Sequence, residues 1–292
     1  MAQAAGYPAG YVDPTYRQVV DRFLGLAEKF GFSYSMYAIG RDLEDEHACR
    51  RLREISAAGH EIGNHTWNHY TDLGALKPLE MREEVVRTHE RLTEAIGKAP
   101  KGFVAPAWSY SDRLMRLLNE LGYDYDMSLF PSLLYYPFVF KNALNHIGNS
   151  DKLLRVLNRR DWTQPFLGSR DPFLRGNVVV IPVPTTRGPL GMAVWHTTGF
   201  LLGWDRHFQM MRDAIAARRY FHYVVHPADL TCDEDFDGSE RMHLERAAGS
   251  LTEKMRRMEE CFAILAESGC QWKTVGELAQ EARVHLAGSM AA

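Results

Sequence analysis

The sequence has little of what marks a secreted, membrane-spanning or nucleic-acid-binding protein. Its four cysteines form no Cys-x-x-Cys pair and no dense framework, which is typical of reduced thiols and predicts a cytoplasmic location. No stretch near the start has the form of a secretory signal, and no apolar run reaches the length of a transmembrane helix. The formal net charge is -3 and there is no basic tract, so we expect no nucleic-acid partner.

Two stretches are unusually apolar and aromatic, Leu129 to Phe140 and Leu190 to Trp204. Both are interrupted by proline or glycine and are too short to span a bilayer. Stretches of this kind usually form core or line a cleft. The second interpretation is that they contact a lipid or a lipid-linked substrate at a membrane surface.

Strand-like and helix-like segments alternate along the chain. The clearest helix covers 78–96 and is ended by Gly97, and Val178 to Val183 is a buried strand by composition. Repeated alternation predicts an α/β fold with a parallel sheet and outer helices, and at this length a closed barrel is favoured. We predict a poorly structured segment over 1–16, a barrel domain over 17–282 and a flexible tail over 283–292. Less regular predictions are strands over 123–130, 221–225 and 271–275, helices over 198–217 and 237–268, and loops with short helices over 131–176.

The most unusual stretch, residues 59–69, contains three histidines in eleven residues. His65 and His69 are four apart, and on a helical turn that spacing puts both imidazoles on one face, where they can share a metal ion. The alternative is a chance pair on a solvated helix face. A zincin motif, His-Glu-x-x-His, is excluded because Asn64 stands where the second histidine after His60 would be.

Several candidate site residues follow predicted strands. His65, Pro106, Asp126 and His226 all lie at or just after the carboxyl end of such a strand. Parallel barrels place their chemistry at that end, so the four residues are expected near one another. For His226 a core histidine at a strand end is an equal alternative.

Four segments in order resemble the polysaccharide deacetylases, the NodB-homology group of carbohydrate esterases. Residues 59–69 resemble the second motif of that family, 103–108 the third, 121–128 the block after it, and 223–227 the fifth, which ends in a catalytic histidine. The resemblance runs in the family's order from about residue 17 to 278. It implies a distorted (β/α) barrel of the NodB type.

The resemblance also implies roles for particular residues. His65 and His69 would hold a divalent metal, usually zinc, which polarises an amide carbonyl and activates water. Thr66 would brace that loop by hydrogen bonding. His226 would be the general acid that protonates the leaving amine, and Asp126 would orient or tune it.

For substrate binding, the resemblance points to Pro106 and Trp108. Trp108 would line the pocket for the acyl group or sugar, with plain core packing as its alternative. The implied reaction is metal-dependent removal of an acetyl or formyl group from the nitrogen of a sugar, polysaccharide or glycolipid, the substrate in one version being lipid-linked.

Two features depart from the family pattern. The first motif, a strand ending in paired aspartates that supply the base and the third metal ligand, has no counterpart before Tyr16, and Val104 stands where most of the family has arginine. We therefore expect a barrel without its first strand, either because the reading frame starts downstream or because the chain is a degenerate relative. A catalytically inactive carbohydrate-binding protein is the alternative function, and a structural metal site in an unrelated barrel is a remoter one.

Overall fold

The fold is built on one six-stranded sheet. A computed structural model describes residues 13–144, 150–159, 161–166, 169–188, 191–236 and 249–291. Its strands are β1 (Ser35–Ala38), β2 (Glu61–Asn64), β3 (Gly102–Phe103), β4 (Tyr125–Asp126), β5 (Phe173–Arg175) and β6 (Val178–Val180). The order across the sheet is β1-β2-β3-β4-β6-β5, and all neighbours are parallel except β5 with β6.

Helices connect the strands. They are α1 (Val20–Phe30), α2 (Glu46–Ala57), α3 (Pro78–Ile96), α4 (Asp112–Glu120), α5 (Tyr135–Leu144), α6 (Ser150–Leu157), α7 (Thr197–Leu202), α8 (Trp204–Ala217), α9 (Leu251–Glu267) and α10 (Val275–Ala291). A π-helical turn, Thr15–Val19, leads into α1. The predicted strand–helix alternation is confirmed through β4, where each parallel crossover passes through a helix.

The bounds of α3 show how local sequence determines a helix. Pro78 occupies the first helical position, where a missing N–H is tolerated. The Glu80 side chain accepts a hydrogen bond from the Lys77 N–H at 3.1 Å. Gly97 adopts φ 74 at the end of the helix, a left-handed conformation that favours glycine. The predicted helix over 78–96 is therefore confirmed.

Both faces of the sheet are covered, as parallel sheets require. On one face, Phe103 and Val180 pack in a cluster with residues of α3 and α4. On the other face, Tyr125 and Val179 pack with Leu278 of α10. Neighbouring residues of a strand thus point into different clusters, which is the period-two alternation of a pleated strand.

The sheet does not close into a complete barrel within the described residues. β1 is an edge strand, paired with β2 alone. Residues 221–225, predicted as a strand, carry no strand pairing, and among them Val224 accepts a backbone hydrogen bond from His196 N–H at 3.0 Å. No backbone hydrogen bond described joins this segment to β1. Within the described residues, β1 therefore leaves one edge of the sheet open.

Other predicted bounds need correction. The predicted strand over 123–130 shortens to β4, and the one over 271–275 is a connection without strand pairing that leads into α10. The helix predicted over 198–217 is two helices, because Gly203 at φ 86 interrupts it. The predicted flexible tail is helical through Ala291. Of the helix predicted over 237–268, residues 251–267 are helical and 237–248 lie outside the described residues.

Short helices α5 and α6 confirm part of the prediction for 131–176, but strand β5, Phe173–Arg175, lies in the same range and was not predicted. Among the described residues, none of the helices has both the length and the apolar character needed to cross a membrane. Residues 1–16 were predicted to be poorly structured. Of these, 1–12 lie outside the described residues, and the π-helical turn begins at Thr15.

Replacement of glycine by alanine should change the stability in opposite directions at two positions of the chain. A Cβ on Gly102 would collide with the Tyr125 ring, whose hydroxyl is hydrogen-bonded to Tyr37 Oη at 2.8 Å in the core. Gly25 lies in α1 with nothing within 4 Å of its added Cβ. We expect Gly102→Ala to lower the free energy of unfolding by about 1–3 kcal/mol and Gly25→Ala to raise it by about 0.5–1 kcal/mol. Urea unfolding of both variants checks the signs, and equal effects would contradict this packing.

Candidate functional site

His65 and His69 lie on the loop after β2, and not on the helical turn that their spacing suggested. Thr66 and His69 adopt φ 65 and φ 57, the left-handed conformation that non-glycine residues rarely enter. The loop turns sharply at these two positions and brings the imidazole rings to a centroid distance of 4.8 Å. Two strained residues in one short loop are typical of functional sites.

The hydrogen bond of His65 defines which ring nitrogen is available to a ligand. Nδ1 of His65 lies 2.7 Å from the carbonyl oxygen of Val104. A carbonyl only accepts, so Nδ1 carries the proton and Nε2 keeps its lone pair. Burial lowers the pKa of His65 to about 4, which leaves the ring neutral at neutral pH. A neutral imidazole oriented by a backbone carbonyl is the usual state of a metal-binding histidine.

His69 is the second neutral imidazole. Its pKa is lowered well below the ordinary value, first by burial, then by the charge of His65, with a further contribution from His226. His69 therefore lies within electrostatic range of both His65 and His226. His65 and His69 fit a divalent cation as two of its ligands, but within the described residues no group of three His, Cys, Asp or Glu side chains is arranged to hold one.

Hydrogen bonds to the backbone fix this loop. Asn64 Oδ1 accepts from the Thr66 N–H at 2.8 Å, and the Thr66 carbonyl accepts from the Gly40 N–H at 2.9 Å. Glu84 Oε2 accepts from the Asn68 N–H at 2.7 Å. The hydroxyl of Thr66, by contrast, is fully buried and has no hydrogen-bond partner among the described residues. Thr66 thus braces the loop through its backbone and not through its side chain.

His226 stands at the start of a 3₁₀ turn, Pro227–Asp229, and its side chain is 31% exposed. The Asp229 carboxylate, which is fully buried, accepts from the His226 N–H at 2.7 Å, and the same oxygen lies 3.9 Å from Nδ1. Asp229 is a site residue that the sequence interpretation missed. The signal was present, since an acidic residue three positions after a turn start commonly bonds back to its N–H.

Asp126 is the last residue of β4 and is fully buried. Its carboxylate accepts from the N–H and hydroxyl of Ser128 at 3.0 and 2.5 Å, and burial raises its pKa to about 7. Its register partners Phe103 and Val180 pack towards α3 and α4. A carboxylate oxygen of Asp229 lies 3.9 Å from His226 Nδ1, and the role of Asp126 stays a prediction.

Pro106 and Trp108 form a 3₁₀ turn after β3, and both are buried. The Trp108 ring packs against Phe130 and Trp195 at centroid distances of 4.9 and 5.6 Å, and only 6% of the residue is exposed. In this structure the Trp108 side chain is packed in the core, which was the alternative to its lining a substrate pocket. Ala107 and Trp108 each adopt φ 50, so this turn is as strained as the histidine loop.

Comparison with known proteins agrees with this geometry. Residues 9–125 match the model of the polysaccharide deacetylase family. A peptidoglycan deacetylase from Helicobacter pylori is 28% identical over 149 residues, which cover 51% of this chain and 48% of that protein. The matched segment thus spans about half the length of this curated relative.

Two solved structures share the fold over most of the chain. One is a protein from Mycobacterium smegmatis described as a polysaccharide deacetylase, with a TM-score of 0.54 and 18% identity. The match covers 93% of this chain and 79% of the Mycobacterium protein. The PuuE allantoinase gives a TM-score of 0.52 at 18% identity, and the match covers 91% of this chain and 72% of the allantoinase. At such identities the likeness shows the fold alone.

The sheet and its paired histidines define an α/β protein of the NodB fold class. Residues 9–125 resemble the polysaccharide deacetylase family, in agreement with the order of the motifs in the sequence. Members of this family generally use a divalent metal.

The buried state of His65 predicts how stability depends on pH. Its folded pKa of about 4 lies below the unfolded value of about 6.5. The contribution of His65 to stability is therefore present above pH 6.5 and is lost as the pH falls towards 4. The parent chain should therefore lose unfolding free energy between pH 6.5 and pH 4. In the His65→Gln variant we expect that loss to be smaller by on the order of 2–3 kcal/mol.

Urea unfolding in the presence of EDTA at several pH values measures this difference. His285→Gln is the control, because His285 is exposed on α10. A His65→Gln variant with the same pH slope as the parent chain would contradict the buried neutral state.

Proposed function

We propose that this chain hydrolyses the N-acyl group, acetyl or formyl, of an amino sugar in a polysaccharide or glycolipid. The observation that carries the proposal is the pair of adjacent neutral imidazoles, His65 and His69, with His226 and its neighbouring carboxylate within electrostatic range of His69. The polysaccharide deacetylase match and the name of the Helicobacter relative, a peptidoglycan deacetylase, support the choice of an acylated sugar.

Nε2 of His65 and the ring of His69 would hold the metal, for which we propose zinc. Imidazole nitrogen is a common zinc ligand, and both rings are uncharged at neutral pH. When bound, such an ion supplies a Lewis acid for the acyl carbonyl and lowers the pKa of water. The protein holds the His65 donor in place through the Val104 carbonyl, so that little reorganisation is needed on binding.

His226 would supply the proton for the leaving amine. Asp229 Oδ2 faces Nδ1 at 3.9 Å, so the opposite ring nitrogen, Nε2, is the atom that can point to substrate. The partial exposure of His226 gives a substrate access to it. An imidazole with a carboxylate beside one ring nitrogen and substrate access at the other is suited to general acid catalysis.

A second candidate is an inactive carbohydrate-binding protein on the same scaffold. The observation that favours it is the set of only two histidine ligands among the described residues, where a catalytic zinc site usually has three protein ligands. Val104 adds to it, because the resemblance implies an arginine at that position. The two candidates share the sugar and differ in turnover.

For the substrate and its location we propose a cytoplasmic protein that meets a lipid-linked sugar at a membrane surface. Large apolar side chains support this version because they are exposed on and around α5, α6 and α7, among them Phe140, Leu154, Phe166 and Leu201. Where such side chains form one patch, they favour contact with lipid or with a partner. The proposal of a polysaccharide substrate does not depend on it.

The first test replaces the proposed acid. His226→Ala should lower kcat by about 10²- to 10⁴-fold because the leaving amine is no longer protonated, while Zn²⁺ affinity stays as in the parent chain. Amine release from N-acetyl and N-formyl glucosamine oligomers, with and without EDTA, measures turnover, and Zn²⁺ titration measures binding. Turnover that survives His226→Ala overturns the role of His226. Sugar binding without any turnover favours the second candidate.

A second test compares the two carboxylates. Asp229→Asn should lower kcat and shift the pH–rate profile, because the charge beside His226 is removed. Asp126→Asn should leave kcat near that of the parent, since its carboxylate bonds to Ser128. Steady-state rates per folded molecule between about pH 5 and pH 9 separate the two, the range spanning ordinary histidine titration. The reverse order of effects would restore Asp126 as the residue that orients His226.

A further inference from the structure

Arg159 is a buried cation that the proposed reaction does not use. Its side chain is fully buried directly after α6, and it donates to both carboxylate oxygens of Asp161, at 3.0 and 2.7 Å. Burial acts to lower the pKa of Arg159, but the hydrogen bond and charge of Asp161 outweigh it and hold that pKa above the ordinary value. The guanidinium is therefore charged, and its other N–H groups are strong donors.

Those other N–H groups reach two loops of the candidate site. Nη1 of Arg159 donates to the carbonyl of Thr71 at 2.5 Å, and Nη2 donates to the carbonyl of Ala107 at 3.0 Å. Thr71 lies two residues after His69, on the histidine loop. Ala107 lies in the middle of the Pro106–Trp108 turn. One planar group thus sets the distance between two loops that belong to different strands.

Both loops are strained and both are held at their carbonyls. Within the described part of the chain, the non-glycine residues with positive φ are Thr66, His69, Ala107 and Trp108. Each such position costs about 1–2 kcal/mol, so neighbouring contacts must hold it. Gln164 assists Arg159, since its Nε2 donates to the Trp108 carbonyl at 2.7 Å and to Asp161 at 3.0 Å.

His65 and His69, the two proposed metal ligands, are both connected by hydrogen bonds to residues 104–107, but through different groups. His65 bonds directly to the carbonyl of Val104. The loop of His69 bonds through Thr71 and Arg159 to the carbonyl of Ala107, three residues further on. A change in either connection would alter the separation of the two imidazoles.

We propose that Arg159 is a positioning residue that holds the His69 loop against the Pro106–Trp108 turn and so fixes the two imidazoles at the separation a metal ion requires. The inference rests on the proposed function. Arg159 lies outside the family match, which covers residues 9–125. A lysine cannot replace it, because a single ammonium group cannot present the planar fork of donors that spans Asp161 and two carbonyls.

The test compares Arg159→Lys with Arg283→Lys in the full chain. Arg283 also bridges two backbone carbonyls, those of Asp124 at 3.1 Å and Asn177 at 2.6 Å, but these precede β4 and β6 at the opposite end of the strands. Both variants keep the positive charge and lose a bridge. Only the first bridge touches the candidate site.

For Arg159→Lys we expect the Zn²⁺ dissociation constant to rise by about tenfold or more, the usual effect of removing support behind a metal ligand. Amide hydrogen exchange over residues 66–74 should also become faster than in the parent chain. Arg283→Lys should lower the melting temperature while leaving the dissociation constant and that exchange unchanged.

An Arg159→Lys variant with the parent's Zn²⁺ affinity, or with the parent's exchange over 66–74, overturns the inference and leaves Arg159 a structural residue. If Arg159→Lys does not fold, Asp161→Asn is measured in the same way, with a smaller change expected in the same direction. Zn²⁺ binding without amine release overturns the proposed function alone. If the parent chain binds no Zn²⁺, the proposed function fails and amide exchange alone decides the role of Arg159.

Discussion

The hydrogen bond from His65 Nδ1–H to the Val104 carbonyl is the interaction on which the candidate site depends. It joins the carboxyl ends of β2 and β3, which are neighbours in the sheet, and it fixes the tautomer that leaves Nε2 free to bind a metal. Because the acceptor is a backbone atom, the side chain at position 104 does not affect it. The departure from the family at Val104 therefore leaves the support of His65 intact.

Strain and burial act together around that bond. The histidine loop and the Pro106–Trp108 turn hold left-handed residues that would relax in isolation. Carbonyl acceptors, the Asn64 amide and the Arg159 guanidinium oppose that relaxation. The site is thus shaped before any ligand arrives, which is the property that lets a site bind a metal or a transition state without reorganisation.

Sequence patterns correctly predicted those parts of the fold that depend on neighbouring residues in the chain. The α3 helix was predicted to the residue because a proline and a glycine mark its ends. The closeness of His65 and His69 was also predicted, but for the wrong local reason, since a strained loop and not a helical turn brings them together. The role of Asp126 stays a prediction, because strand register decides which face a residue takes, and register is not readable from one strand.

Arg159 was missed for a different reason. The carbonyls that it bonds belong to chain segments far away in sequence, and a lone arginine after a short helix gives no local signal of the carbonyls it will reach. Such residues act on a site through backbone atoms, so no motif of side chains describes them. It follows that two relatives with the same histidine pattern can differ in metal affinity through a residue outside every motif, and that inactivity in such a chain need not originate in its ligands.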